Sequence, residues 1–162
     1  MSLEVKELLD SMPQTGSLDW IGVRPSREEP VESLESVEIC LENGLVGDRF
    51  SGSAGAKRQV TLIQKEHIAV IQSILGCDEI KPETLRRNLL VSGINLQALK
   101  GRTFSIGDVV LLGTGNCPPC SKMEDALGAG GYNAMRSHGG LTASVVTSGK
   151  ISVGDKVKLL KD

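Results

Sequence analysis

A chain of 162 residues, 40% hydrophobic and with a formal net charge of −2, suits one domain with a sizeable core and makes no general electrostatic case for nucleic acid or an anionic membrane. No apolar run approaches the roughly 20 residues of a membrane helix, and Met1-Ser2-Leu3-Glu4-Val5-Lys6 lacks the pattern of a signal peptide. The expected setting is the cytoplasm, with thiols reduced.

The first element is a helical extension within 1–17, with Leu3, Leu8 and Leu9 turned inward and an end before Pro13. Residues 17–23 read as a strand stopped by Pro25, and 24–30 as a charged loop. Strands follow over 34–41 and 59–63. A helix fits 65–75, with Ile68, Ile71, Ile74 and Leu75 on one side and Gly76 as its stop. Further strands span 88–91, 108–112, 142–146 and 156–160. Gly107-Asp108 and Gly154-Asp155 read as tight turns feeding strands, and Gly47-Asp48 echoes them. Asp48 differs in being followed by charged, glycine-rich sequence, which makes it a site candidate as well. Many short strands with glycine turns and a few inserted helices predict a mainly β protein, a closed or nearly closed β-barrel. One domain covers 1–162, with its core over about 18–160.

Chemistry concentrates in Cys117-Pro118-Pro119-Cys120 and the helix expected over 121–127, which Gly128 can end. Cys120 then sits at or beside a helix start, where free amides and the helix dipole favour a thiolate. Such a cysteine serves as nucleophile, sulfur carrier or metal ligand. Three other readings stand beside that one. The pair is half of a zinc site, but no second pair exists. It is a thioredoxin-like dithiol, but that motif follows the first strand of a βαβ unit. Or the cysteines are small buried hydrophobes, the reading preferred for Cys40 and Cys77.

Positive side chains border the strands: Arg49, Lys57, Arg58, Arg86, Arg87 and Arg136. An arginine at a barrel rim can hold a phosphate or carboxylate by two parallel hydrogen bonds; otherwise it is a solvated charge. The glycine-rich stretches 113–116 and 128–140 let backbone amides approach an anion, although neither fits a standard phosphate fingerprint. His138, between Ser137 and two glycines, is a better polar-site candidate than His67 on the expected helix.

Gly44-Leu45-Val46-Gly47-Asp48-Arg49, Lys57-Arg58-Gln59-Val60-Thr61-Leu62-Ile63, Arg86-Arg87-Asn88-Leu89, Gly107-Asp108, Pro119-Cys120 and Gly154-Asp155-Lys156-Val157 together resemble the MOSC domain. That is the C-terminal domain of molybdenum-cofactor sulfurases, which also occurs as small stand-alone bacterial proteins. The resemblance runs from Leu18 to Leu160. It implies a β-barrel and puts the family's cysteine, thought to handle sulfur or ligate molybdenum, on Cys120. The cofactor it implies is the molybdenum cofactor, molybdopterin, which bears a phosphate and a dithiolene. Arg58, Arg87, Asn88, Arg136, His138 and Asp48 are the expected cofactor-binding residues, with Cys120 as catalytic group and metal ligand. Phe50 stands where family members often have histidine. A family-level association with pyridoxal phosphate accompanies the resemblance. Because the aminotransferase-like domain of full-length sulfurases has no counterpart in these residues, the chain is expected to receive sulfur or bind cofactor instead. The implied activity is sulfur transfer or reduction of N-hydroxylated compounds, with a reductase or sulfur-donor protein as partner. The alternative is a non-enzymatic carrier or adaptor for the cofactor or another anionic metabolite.

Overall fold

Alternating apolar residues curl a seven-strand sheet into a closed barrel in the computed structural model, which describes residues 4–50 and 52–161. In chain order the elements are α1 (Val5–Asp10), β1 (Gly16–Val23), β2 (Glu32–Leu34), β3 (Ser36–Cys40), β4 (Gly44–Leu45), β5 (Val60–Gln64), α2 (Lys65–Leu75), β6 (Leu89–Ser92), β7 (Thr103–Ile106), β8 (Val109–Asn116), α3 (Lys122–Leu127), α4 (Gly131–Met135), β9 (Leu141–Thr147), β10 (Gly149–Ser152) and β11 (Lys156–Leu159). Around the barrel the order is β1, β6, β5, β9, β8, β7, β11. Gly16 and Ser17 pair with Val157 and Lys156 to close it. β5 and β6 are parallel, joined over the outside by α2; the other barrel pairs are antiparallel. β2 extends the sheet beyond β1, and β10, β3 and β4 form a small second sheet.

Side chains on the two faces of β5 and β6 enter two different cores. Leu62, Leu89 and Val91 join Leu18, Phe104 and Val157 inside the barrel. Ile63 and Leu90 point the other way and meet Ile68 and Ile71 of α2, Met123 of α3 and Met135 of α4. Every residue of β5 is therefore buried, as expected of a strand covered on both faces. The helical layer positions the cysteine segment, because Cys120 leads through the cap residue Ser121 into α3.

Several expectations change. The strand expected over 34–41 is two strands in different sheets, broken at Glu35. Leu8 and Leu9 are exposed rather than inward, while Leu3 lies outside the described residues. α1 is held instead by polar bonds: Arg102 donates to the Leu9 carbonyl at 3.1 Å and to Asp10 Oδ1 at 2.8 Å. Ile74 is exposed, leaving Ile68 and Ile71 as the buried face of α2. Of the cysteines, Cys117 is the buried one; Cys40 is half-buried and Cys77 exposed. Among the described residues, no helix is long and apolar enough to cross a membrane.

Candidate anion cleft beside Cys120

Five segments distant in sequence meet at one end of the barrel around a cavity of about 480 Å³. The end of β1 brings Arg24, the chain after β4 brings Asp48, Arg49 and Phe50, and Arg58 precedes β5. Arg86, Arg87 and Asn88 come from the approach to β6, and Pro118 and Cys120 from the segment before α3. Five positive charges less the single negative one of Asp48 leave the walls at a formal +4. Asp48 does not neutralise a neighbour by an ion pair; its Oδ1 accepts from the backbone N–H of Arg24 at 2.9 Å. Among the described residues, the ion pairs are Lys6–Asp10 and Arg102–Asp10, so no cleft arginine takes part in one. Burial, then repulsion from Arg86 and Arg49, holds the Arg24 guanidinium below the usual arginine range. Like charges gathered around one carboxylate, with no ion pair among them, create a positive potential that attracts anions.

Arg86 ends a 3-10 turn over Pro82–Leu85 in the left-handed conformation, at φ 61°. That backbone costs a residue with a side chain on the order of 1 kcal/mol. Both Arg86 and Arg87, its neighbour, line the cavity.

Arg87 is 4% exposed, and its guanidinium is spent on main-chain carbonyls. Nε donates to Gly139 at 2.8 Å, one terminal nitrogen to Leu85 at 3.2 Å, and the other to Cys117 at 3.1 Å and Pro118 at 3.2 Å. It thus ties the approach to β6 to the cysteine segment, while its charge stays without a carboxylate partner. Burial first, helped by repulsion from Arg58 and Arg86, keeps its pKa below the ordinary value, with Cys117 and Cys120 pulling the other way. Asn88 is similarly engaged: Oδ1 accepts from Thr61 N and Oγ1 at 3.0 and 3.1 Å, and Nδ2 donates to the Gly22 carbonyl at 3.2 Å.

The two thiols of Cys-Pro-Pro-Cys have different surroundings. Cys117 is buried, and its N–H donates to the Gly140 carbonyl at 2.9 Å. Cys120 is exposed at the cleft, and its carbonyl accepts from Met123 N at 3.0 Å in the first turn of α3. Only Cys120 offers a thiol to a ligand in the cavity.

Of the residues expected from sequence, Arg58, Arg87, Asn88, Asp48 and Cys120 come together here; Arg136 and His138 do not line the cavity. Arg136 is exposed after α4. His138 is half-buried, with Nδ1 3.3 Å from the Ala134 carbonyl and its ring edge-on to His67 at 5.4 Å between centroids. Arg24 was missed because it reads as the start of a charged loop; its position directly after the apolar end of β1 was the available signal. Among the described residues, no three His, Cys, Asp or Glu side chains cluster to hold a metal ion, so Cys120 would be a lone protein ligand.

A family model described as the MOSC domain matches residues 49–158. No curated protein matches the chain. Solved structures do share its fold. The YuaD protein from Bacillus subtilis aligns with TM-score 0.78 and 20% identity, over 90% of this chain and 95% of that one. YiiM from Geobacillus stearothermophilus aligns with TM-score 0.72 and 16% identity, over 90% and 75%. YiiM from Escherichia coli aligns with TM-score 0.68 and 18% identity, over 90% and 70%.

Proposed function

The chain belongs to the MOSC domain family, and from that premise we propose that it binds the molybdenum cofactor, with the arginine cleft holding the anionic end and Cys120 ligating the metal or carrying sulfur. The observation that carries this reading is the exposed Cys120 thiol on the wall of a cavity of formal charge +4. The donor set fits the group: guanidinium forks match phosphate oxygens, and a thiolate is a soft ligand suited to a thiophilic metal. Arg24, Arg49, Arg58 and Arg86 supply the charge-assisted hydrogen bonds. Arg87 and Asn88, their polar atoms largely engaged with the protein, keep the walls in register. When bound, the cofactor supplies the oxidation–reduction chemistry. The chain's own part is to hold the anion, present one thiol and bury the other.

Protein purified from a host that makes the cofactor is expected to carry molybdenum and pterin, measured by metal analysis and by fluorescence of the oxidised pterin. Cys120→Ser should lose the metal and Cys117→Ser should keep it. Wild-type protein without metal or pterin, or equal loss in both variants, would overturn the reading. Turnover of an N-hydroxylated substrate with an added reductase then separates an oxidoreductase from a carrier that hands cofactor or sulfur to a partner protein. The exposure of Cys120 favours such a hand-over.

A further inference from the structure

Cys120 has a second side. Besides the arginine cleft it borders an open cavity of about 580 Å³, lined by Pro119, Cys120, Ser121, Glu124, Tyr132 and Asn133. Among the described residues, Cys120 is the one that lines both walls, so this residue separates the two cavities. Pro118 lines the first cavity; Pro119 and Ser121 line the second. Cys120 apart, no residue of this second wall lines the cleft.

The second wall is built rather than incidental. Tyr132 and Asn133 reach Cys120 because α4 lies close against α3. A Cβ at Gly131 would stand 2.6 Å from Leu127 Cβ and 2.9 Å from the Met123 carbonyl, so this approach requires glycine. Glu124 fixes the connection with both carboxylate oxygens, accepting from Gly130 N and Tyr132 N at 3.0 Å each. Those two donors hold its carboxyl below the usual range, so it stays ionised. Among the described residues, the wall therefore carries one fixed negative charge, no lysine or arginine, an amide at Asn133 and an exposed tyrosine, Tyr132. Its chemistry is opposite to that of the cleft. A negative rim disfavours anions, and an exposed tyrosine on the wall suits flat rings and cations.

We propose that this second cavity is a binding site for a flat, uncharged or cationic ring compound, stacked on Tyr132 beside the Cys120 thiol. Cys120 would then separate two ligands of different charge, one on each side. The proposal does not depend on a metal-bearing cofactor.

Two alkylating probes test it: iodoacetate, an anion, and N-benzyl-2-iodoacetamide, a neutral ring compound. With either, the thiolate displaces iodide and a C–S bond forms. Modification of Cys120 is followed by peptide mass spectrometry, with exposed Cys77 as internal reference. Excess pyrophosphate is expected to slow iodoacetate at Cys120 but not the benzyl reagent. The benzyl reaction should saturate with concentration. Tyr132→Ala should weaken its apparent affinity about fivefold, the worth of one aromatic pair. Tyr132→Phe should retain it, and neither change should alter iodoacetate labelling. Benzyl labelling that stays linear in concentration and ignores Tyr132→Ala, or pyrophosphate blocking both reagents equally, would overturn the proposal. Pyrophosphate that fails to slow iodoacetate would instead count against the arginine cleft, and the Tyr132 comparison would still decide this site.

Discussion

At the residue scale, Arg87 and Arg58 line the same cavity but do different work. Arg87 is buried and gives four hydrogen bonds to carbonyls; Arg58 is exposed at the rim. Arg87→Ala leaves buried carbonyls unpaired and a void at the cysteine segment. We expect it to lower unfolding free energy by about 3 kcal/mol, read from urea titration. Arg87→Lys should recover only part, because an ammonium cannot reproduce the planar fork. Arg58→Ala should change stability by less than about 0.5 kcal/mol. Its effect should appear in binding of a phosphorylated pterin, weakened roughly ten- to a hundredfold by loss of a charge-assisted bond. Equal stability losses in both alanine variants would erase the distinction. Sequence alone brought Arg87 to the barrel mouth, because it directly precedes an apolar strand. It did not reveal that its donors go to carbonyls 30, 31 and 52 residues away. No local pattern encodes such distant acceptors.

At the element scale, legibility follows length and periodicity. α2 was readable because its eleven residues carry an apolar stripe and stop at Gly76, which takes the left-handed φ of 68°. α4 was not. Its five residues lie in a glycine-rich run, and the helix is held by the packing of Gly131 and the bonds of Glu124, both tertiary in origin. Among the four-residue strands, β6 was readable because Leu89, Leu90 and Val91 form an apolar run, whereas β7 and β10 alternate apolar with small or polar residues beside glycine turns. The contact between α2 and the end of α4 also predicts a pH response. His67 on α2 faces His138. Burial first, then the charge on His138, lowers the His67 pKa, with Glu66 pulling the other way. In the unfolded chain His67 takes its proton near pH 6.5, before the folded form does. The His67 contribution to stability is therefore fully present above that pH and is lost as pH drops from 6.5 towards the lower folded value. Urea midpoints measured from pH 7.5 to 5.5 should show this decline, and His67→Gln should flatten it. A midpoint that rises on acidification in this window would contradict the assignment.

At the scale of the whole molecule, charge is unevenly divided. The chain has a formal charge of −2 and the cleft +4, so the remainder carries −6. A mainly β barrel was legible from short apolar runs and Gly-Asp turns, because those signals are local. The cleft was legible only in pieces. Its arginines lie on four segments, near residues 24, 49, 58 and 86, that converge only once the barrel closes. Average charge hid that convergence. An acidic body with one basic hollow should be selective among anions, and occupancy should relieve the repulsion between the arginines. A ligand that binds only the folded state at a hundred times its dissociation constant adds about 2.7 kcal/mol. For a domain of this size that raises the midpoint of thermal unfolding by about 5–10 °C. Pyrophosphate should produce such a shift, rising with concentration, while sodium chloride at equal ionic strength should not. Arg58→Ala and Arg24→Ala should each reduce the shift without abolishing the fold, whereas Lys6→Ala, on exposed α1, should leave it intact. An equal response to both salts would mean that Arg24, Arg49, Arg58 and Arg86 are separately solvated and that the hollow does not select an anion.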